Sequence, residues 1–285
     1  MYRFPSTDGV EVAAYDLADE VGGGDGPPLL LAHATGFHGH VFLPLATRLI
    51  DRYHCYAFDE RGHGETSVPD DVTYDWHGFA DDALAVAHGF DLDRPFGLGH
   101  SAGGAALLMA EAAEPGRFRA LYCYEPVVMP VDQPFGPMDN KLSEGARRRR
   151  DVFATRDEAY TNYAGKPPFN TLAPDALRAY VDFGFADQSD GTVRLRCRPE
   201  VESEVYRMGS AHDAFARFPQ VRCGVAVVCG EHTDAFTPPL IERQAAGLPH
   251  GHTQVLPGLG HFGPLQDPAA VAESVSATFS RSMYP

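Results

Sequence analysis

The chain has 285 residues, 44% of them hydrophobic, enough for one large α/β domain with an insertion or for two smaller domains. Its formal net charge of −16 at pH 7 opposes long-range attraction to nucleic acid and to anionic membranes, though not the local capture of a small anion. No apolar run approaches the ~18 residues of a membrane span, and Met1-Tyr2-Arg3-Phe4-Pro5 shows no secretory pattern. Cys55, Cys123, Cys197, Cys223 and Cys229 are odd in number and lack a C-x-x-C spacing, so buried free thiols in a cytoplasmic protein are expected.

In chain order, strand-like and helix-like stretches alternate. Residues 9–15 read as a first strand, and Gly22-Gly23-Gly24-Asp25-Gly26-Pro27-Pro28 as a linker. Leu29-Leu30-Leu31-Ala32 is a short apolar run of the kind buried on both faces of a sheet. A helix is predicted over 43–50, a strand over 53–58, and a helix over 76–88 from the spacing of Phe79, Ala83, Val86 and Ala87. A strand then runs into Gly99-His100-Ser101-Ala102-Gly103, a small-residue helix follows, and another strand lies at 121–124. From Pro130 to about Phe218 the pattern turns polar, helix-prone and proline-broken. Strands resume at 225–228 and 253–256, and a helix closes the chain over 268–279. The expected architecture is a mostly parallel central sheet with helices on both faces. Residues 1–129 and 219–285 form the core domain, and 130–218 a mainly helical insertion.

Gly99-His100-Ser101-Ala102-Gly103 is G-x-S-x-G between a strand and a helix, the setting of a nucleophile elbow. A serine hydroxyl needs a general base, and His261 stands in a glycine-rich turn, Gly258-Leu259-Gly260-His261-Phe262-Gly263, after the last strand. The oxyanion formed on attack needs backbone donors: the N–H of Ala102, after the nucleophile, and that of Thr35, with Gly36 beside it, in the loop after the apolar strand.

Together these stretches, with Phe58-Asp59-Glu60-Arg61-Gly62-His63-Gly64, resemble the α/β-hydrolase superfamily over nearly the whole chain. The resemblance implies an α/β-hydrolase fold in which the insertion is a helical cap. Ala34 stands where the family commonly has glycine after the loop histidine. Two residues suit the triad acid. Asp234 follows the penultimate strand, the family's usual place; Glu125 ends the strand after the nucleophile, a minority place. Glu125 is preferred, because a carboxylate ending an apolar strand is costly unless paired, and Pro126 should hold it in extended backbone. With Glu125 the arrangement is similar to that of the fungal zearalenone lactonases in triad order and serine–acid spacing.

The expected chemistry is hydrolysis of an ester or lactone of a small, apolar molecule through an acyl-enzyme. Carbon–carbon bond hydrolysis of a diketone and non-catalytic ligand binding are the alternatives. Phe37, His100 and Phe262 are taken as pocket wall. Arg147-Arg148-Arg149-Arg150 reads first as a solvated helix face, with an arginine turned toward a substrate carboxylate as the alternative, and Arg61 and His63 as loop packing. No metal or phosphate-binding pattern occurs, so no cofactor is expected. The partner is a small-molecule substrate; a homodimer stays open.

Overall fold

The computed structural model describes residues 1–282, with side chains up to residue 280. Strands β1 (Tyr2–Pro5) and β2 (Glu11–Asp16) form an antiparallel edge. Helix α1 (Leu17–Val21) leads to β3 (Pro28–Ala32), and α2 (Leu43–Leu49) to β4 (His54–Phe58). Helix α3 (Trp76–Gly89) precedes β5 (Phe96–His100), and α4 (Ala102–Ala113) precedes β6 (Ala120–Tyr124). The long insertion carries α5 (Lys141–Arg147), β7 (Val152–Phe153), α6 (Arg156–Ala164), α7 (Pro174–Gly184), β8 (Phe185–Asp187), β9 (Val193–Leu195), α8 (Pro199–Met208) and α9 (Ala214–Arg217). The chain returns through β10 (Gly224–Gly230), α10 (Pro238–Gly247), β11 (Gly251–Leu256), α11 (Gly263–Gln266) and α12 (Pro268–Ser282).

Eight strands make one sheet in the order β1-β2-β4-β3-β5-β6-β10-β11, parallel from β4 onward. Side-chain alternation along β3 splits the core into two layers. Leu29 and Leu31 face one way, with Leu45 and Leu49 of α2 and Val271, Val275 and Phe279 of α12. Leu30 and Ala32 face the other, with Phe79, Ala83 and Val86 of α3 and Ala105 and Ala106 of α4. The mostly parallel sheet covered by helices on both faces is the architecture the sequence predicts.

The strand order reverses direction at β3. Its sequence successor β4 lies on one side, and β5 on the other. Ligands on such sheets bind beyond the carboxyl ends of the strands at this point. The loop after β3 and the turn after β5 flank that crevice.

The insertion is less helical than the sequence suggests, because β7, β9 and β8 form a three-stranded antiparallel sheet. The signal is short: Asp190-Gly191 turns the chain between Phe185-Ala186 and Val193-Arg194-Leu195, with Gly191 at φ +85° and Gln188 N–H donating to the Thr192 carbonyl. The insertion is tied to the sheet domain by the Trp76 indole donating to the Val205 carbonyl (3.2 Å), His38 Nε2 donating to the Tyr180 carbonyl (3.1 Å) and an Arg196–Glu65 ion pair (2.6 Å). All five cysteines are free and buried, as expected. Among the described residues no helix is long and apolar enough to cross a membrane.

Candidate active site

The elbow is built by steric exclusion. Strand β5 is buried along its length and ends at His100, and Ser101 follows with φ +56° and ψ −112°. A side chain on Gly99 would place its Cβ 2.5 Å from the Gly103 carbonyl oxygen, and one on Gly103 would lie 2.3 Å from that of Ala32. Both positions therefore require glycine. The Ser101 conformation costs on the order of 1–3 kcal/mol and is held from three sides. Ser101 N–H donates to the Tyr124 carbonyl (2.9 Å), Val127 N–H to the Ser101 carbonyl (3.1 Å) and Gly103 N–H to the His33 carbonyl (2.9 Å). The Ser101 side chain thus sits at the N-terminus of α4, where the helix dipole favours negative charge.

His261 and Glu125 are joined directly. His261 Nδ1 donates to Glu125 Oε2 at 2.6 Å. Glu125 is wholly buried, yet its carboxylate is satisfied: Gly230 N–H donates to Oε1 (3.0 Å) and the Thr233 hydroxyl to Oε2 (2.8 Å). Three donors converge on one carboxylate, which offsets the cost of burying it. Asp234 lies one residue beyond Thr233, is exposed, and makes no hydrogen bond among the described residues. The loop after β10 thus reaches the carboxylate through Thr233. Thr233 carries no signal in the sequence beyond its place beside Asp234.

The expected extended backbone at Glu125 is not what forms. Its φ is +47°, left-handed and strained for a glutamate. Pro126 disfavours only the right-handed helical region, and tertiary bonds select the rest. Glu125 N–H donates to the Val228 carbonyl (2.7 Å) while its carboxylate is drawn across the end of β10.

The turn carrying His261 is held from several elements. The Tyr124 hydroxyl donates to the Gly260 carbonyl (2.7 Å), Gly260 N–H to the Gln266 side chain (2.9 Å) and His100 Nε2 to the His261 carbonyl (2.8 Å). His100 therefore braces the His261 main chain, and its burial pushes its imidazole pKa down to about 3. Among the described residues neither the Ser101 hydroxyl nor His261 Nε2 makes a hydrogen bond in this resting arrangement. Such contacts commonly tighten only with substrate bound.

In the loop after β3, Gly36 N–H donates to His63 Nε2 (2.9 Å) and Phe37 N–H to the Ala34 carbonyl (3.0 Å). The N–H groups of Thr35 and Ala102 have no partner among the described residues, although both residues are buried. Of the two loop candidates, Gly36 is committed elsewhere and Thr35 is free to donate.

Aromatic rings surround this crevice. Phe37 packs on Phe169 (5.6 Å between centroids), Tyr180 (5.1 Å) and Phe262 (5.8 Å), and Phe262 lies edge-on to His261 (5.0 Å). The arginine run divides. Arg147, Arg148 and Arg150 are exposed, as a solvated face would be, but Arg149 turns inward. It ion-pairs with Glu202 (2.7 Å), donates to the hydroxyls of Tyr163 and Tyr180, and lies over the rings of Tyr163 and Phe169. The Glu202 carboxylate reaches the loop after β3, where a Cβ on Gly36 would lie 2.6 Å from its Oε1. Arg61 packs at the loop base with Asp82 and Asp8, whereas His63 also reaches the loop after β3. Asp16, Asp19 and His54 could bring three ligand atoms together for a cation, but His54 begins β4, at the opposite end of the strands from Ser101.

Residues 29–274, most of the chain, match the model of the alpha/beta hydrolase family. The chain belongs to the alpha/beta hydrolase family. This hydrolase is 26% identical over 239 residues to the 2-(acetamidomethylene)succinate hydrolase of Mesorhizobium japonicum, covering 84% of this chain and 83% of that one. Its fold is similar to the crystal structure of E-2-(acetamidomethylene)succinate hydrolase, with a TM-score of 0.80, 21% identity and 98% of each chain covered. It is also similar to a malate-bound thermophilic esterase of Thermogutta terrifontis, with a TM-score of 0.72, 20% identity, and 99% and 98% covered.

Proposed function

We propose that this α/β hydrolase is a serine hydrolase that cleaves a carboxylic ester or lactone of a small molecule through an acyl-enzyme. The observation that carries the reading is the 2.6 Å bond from His261 Nδ1 to a buried, fully satisfied Glu125. That bond places a proton on Nδ1, so in the neutral ring the lone pair that can accept the serine proton is on Nε2. In the proposed reaction Ser101 Oγ attacks the carbonyl carbon while His261 Nε2 takes its proton. The N–H groups of Ala102 and Thr35 receive the oxyanion. His261 returns the proton to the leaving alkoxide oxygen as the bond to it breaks. Water, deprotonated by His261, then attacks the acyl-enzyme, and the acid leaves as Ser101 regains its proton. Residues 130–218 act in this reading as the cap that sets substrate choice, and the rings of Phe37, Phe169, Tyr180 and Phe262 favour an apolar acyl or alcohol group.

A second reading rests on Arg149. It places a cation beside the same loop, although Glu202 now neutralises it. The similar Mesorhizobium enzyme is named for a dicarboxylate amide. A substrate carboxylate taking the place of Glu202 on Arg149 would give an acyl hydrolase of anionic molecules.

The test is a hydrolysis panel of aryl esters, lactones, acylaminomethylene dicarboxylates and vinylogous diketones, run with the native enzyme and with Ser101→Ala. Turnover of neutral esters or lactones, lost in Ser101→Ala, supports the first reading. Turnover confined to the dicarboxylates and abolished by Arg149→Met supports the second. Cleavage of the diketones alone, or of nothing in the panel, overturns both.

A further inference from the structure

We propose that His33 and His63 are positioning residues that aim the Thr35 N–H: two buried neutral imidazoles, each locked in one tautomer, fix the peptide units on either side of Thr35. The inference rests on the reading that Thr35 donates to the oxyanion.

His33 Nδ1 lies 2.8 Å from the Ala34 carbonyl oxygen. A carbonyl only accepts, so Nδ1 carries the proton. His33 Nε2 then offers a lone pair, and Glu60 N–H donates to it at 3.0 Å. In a trans peptide the carbonyl of one residue and the N–H of the next point in opposite directions. Holding the Ala34 carbonyl therefore sets the direction of the Thr35 N–H. The adjoining peptide is fixed by the same logic reversed. His63 Nδ1 donates to the Arg61 carbonyl (3.1 Å), so Nε2 is the acceptor that receives Gly36 N–H (2.9 Å). Gly36 has φ +82°, one of several conformations open to a glycine, and the bond to His63 selects it.

The two rings lie 5.1 Å apart between centroids, and both residues are shut off from solvent. Burial pushes both imidazoles below their ordinary pKa, which keeps each Nε2 an acceptor. Packing alone has no need of this pattern. Each ring spends one nitrogen on the loop after β3 and the other on the loop after β4, so the second loop sets the tautomer that aims the first.

Paired amide substitutions test this with side chains of like polarity and size. His33→Asn keeps a donor where Nδ1 stood, and His63→Gln keeps an acceptor where Nε2 stood; both retain the bond to the oxyanion-side loop. His33→Gln and His63→Asn retain only the bond to the other loop. Losing one oxyanion donor typically lowers kcat by 10²–10³-fold, so a mis-aimed one should cost about 10–100-fold. Within each pair, kcat on an aryl ester should differ at least about tenfold, with KM within about threefold. Inhibition by a trifluoromethyl ketone, whose adduct carries the oxyanion, should weaken in step with kcat. Equal kcat and equal inhibition within each pair would overturn the proposal. If the serine-hydrolase reading is itself wrong, the native enzyme escapes the ketone, whereas failure of the positioning role leaves the native enzyme inhibited and the pairs alike.

Discussion

Replacing Glu125 by glutamine changes one oxygen to an NH₂ group at the point where three donors converge. Oε1 can keep the Gly230 N–H bond. The new NH₂ then faces His261 Nδ1–H and the Thr233 hydroxyl, donor against donor. The hydroxyl can rotate away, but the imidazole can relieve the clash only by moving its proton to Nε2. That is the nitrogen that must accept from Ser101, so the base is removed while its geometry stays close to native. The corresponding asparagine change in a Ser-His-Asp triad costs about 10⁴-fold in turnover, which is about 5 kcal/mol of barrier. Glu125→Gln is expected to lose about that much in kcat on an aryl ester, with KM nearly unchanged. Asp234→Asn, exposed and off the network, should stay within about twofold of native. The assay is steady-state ester hydrolysis, with circular dichroism to show that both variants fold. Glu125→Gln keeping more than about a tenth of native kcat, or Asp234→Asn losing more than about 10²-fold, would refute the reasoning.

Acid should destabilise the protein early. His38 and His100 are driven by burial to about 3 and His212 to about 4, so the folded state resists protons that the unfolded state takes up below about pH 6.5. This stability is whole above pH 6.5 and lost as pH falls toward the folded values. The raised carboxyls of Asp59 and Glu60 work in the opposite sense and offset part of it. Urea unfolding at pH 5.5 should give a free energy about 2–4 kcal/mol below that at pH 7; an equal or higher value contradicts the account. Glu60 is fully buried with neither carboxylate oxygen bonded, so Glu60→Leu should gain about 1–3 kcal/mol at pH 7 and less near pH 4.5, read by the same titration. Gly103→Ala would push a methyl to 2.3 Å from the Ala32 carbonyl oxygen; it should give little folded protein, and native-like yield and activity would contradict the elbow geometry.

Most of the sheet was legible because its strands are short apolar runs punctuated by glycine and proline, and those from β2 onward lie within a few residues of their predicted places; the largely exposed edge strand β1 (Tyr2–Pro5) carries no such run and was not predicted. The elbow was legible because only glycine fits at positions 99 and 103, which leaves a motif. Which carboxylate meets His261 was not, since the ends of two adjacent strands, β6 and β10, each supply one. Glu125 points inward only through its left-handed backbone, and that is a tertiary outcome. Local sequence could not separate Arg149 from its exposed neighbours either, because its inward turn depends on Tyr163, Tyr180 and Glu202, which lie on three separate helices, α6, α7 and α8. The link from His63 to Gly36 spans 27 positions and has no local periodicity to betray it.

The central claim is that Ser101 carries the acyl group. Intact-protein and peptide mass spectrometry after reaction with a fluorophosphonate or with a rapidly acylating aryl ester reads this directly. One adduct is predicted, on the peptide that contains Ser101, formed slowly in Glu125→Gln and absent in Ser101→Ala. An active enzyme that gains no adduct at Ser101, or gains it elsewhere, would contradict the account.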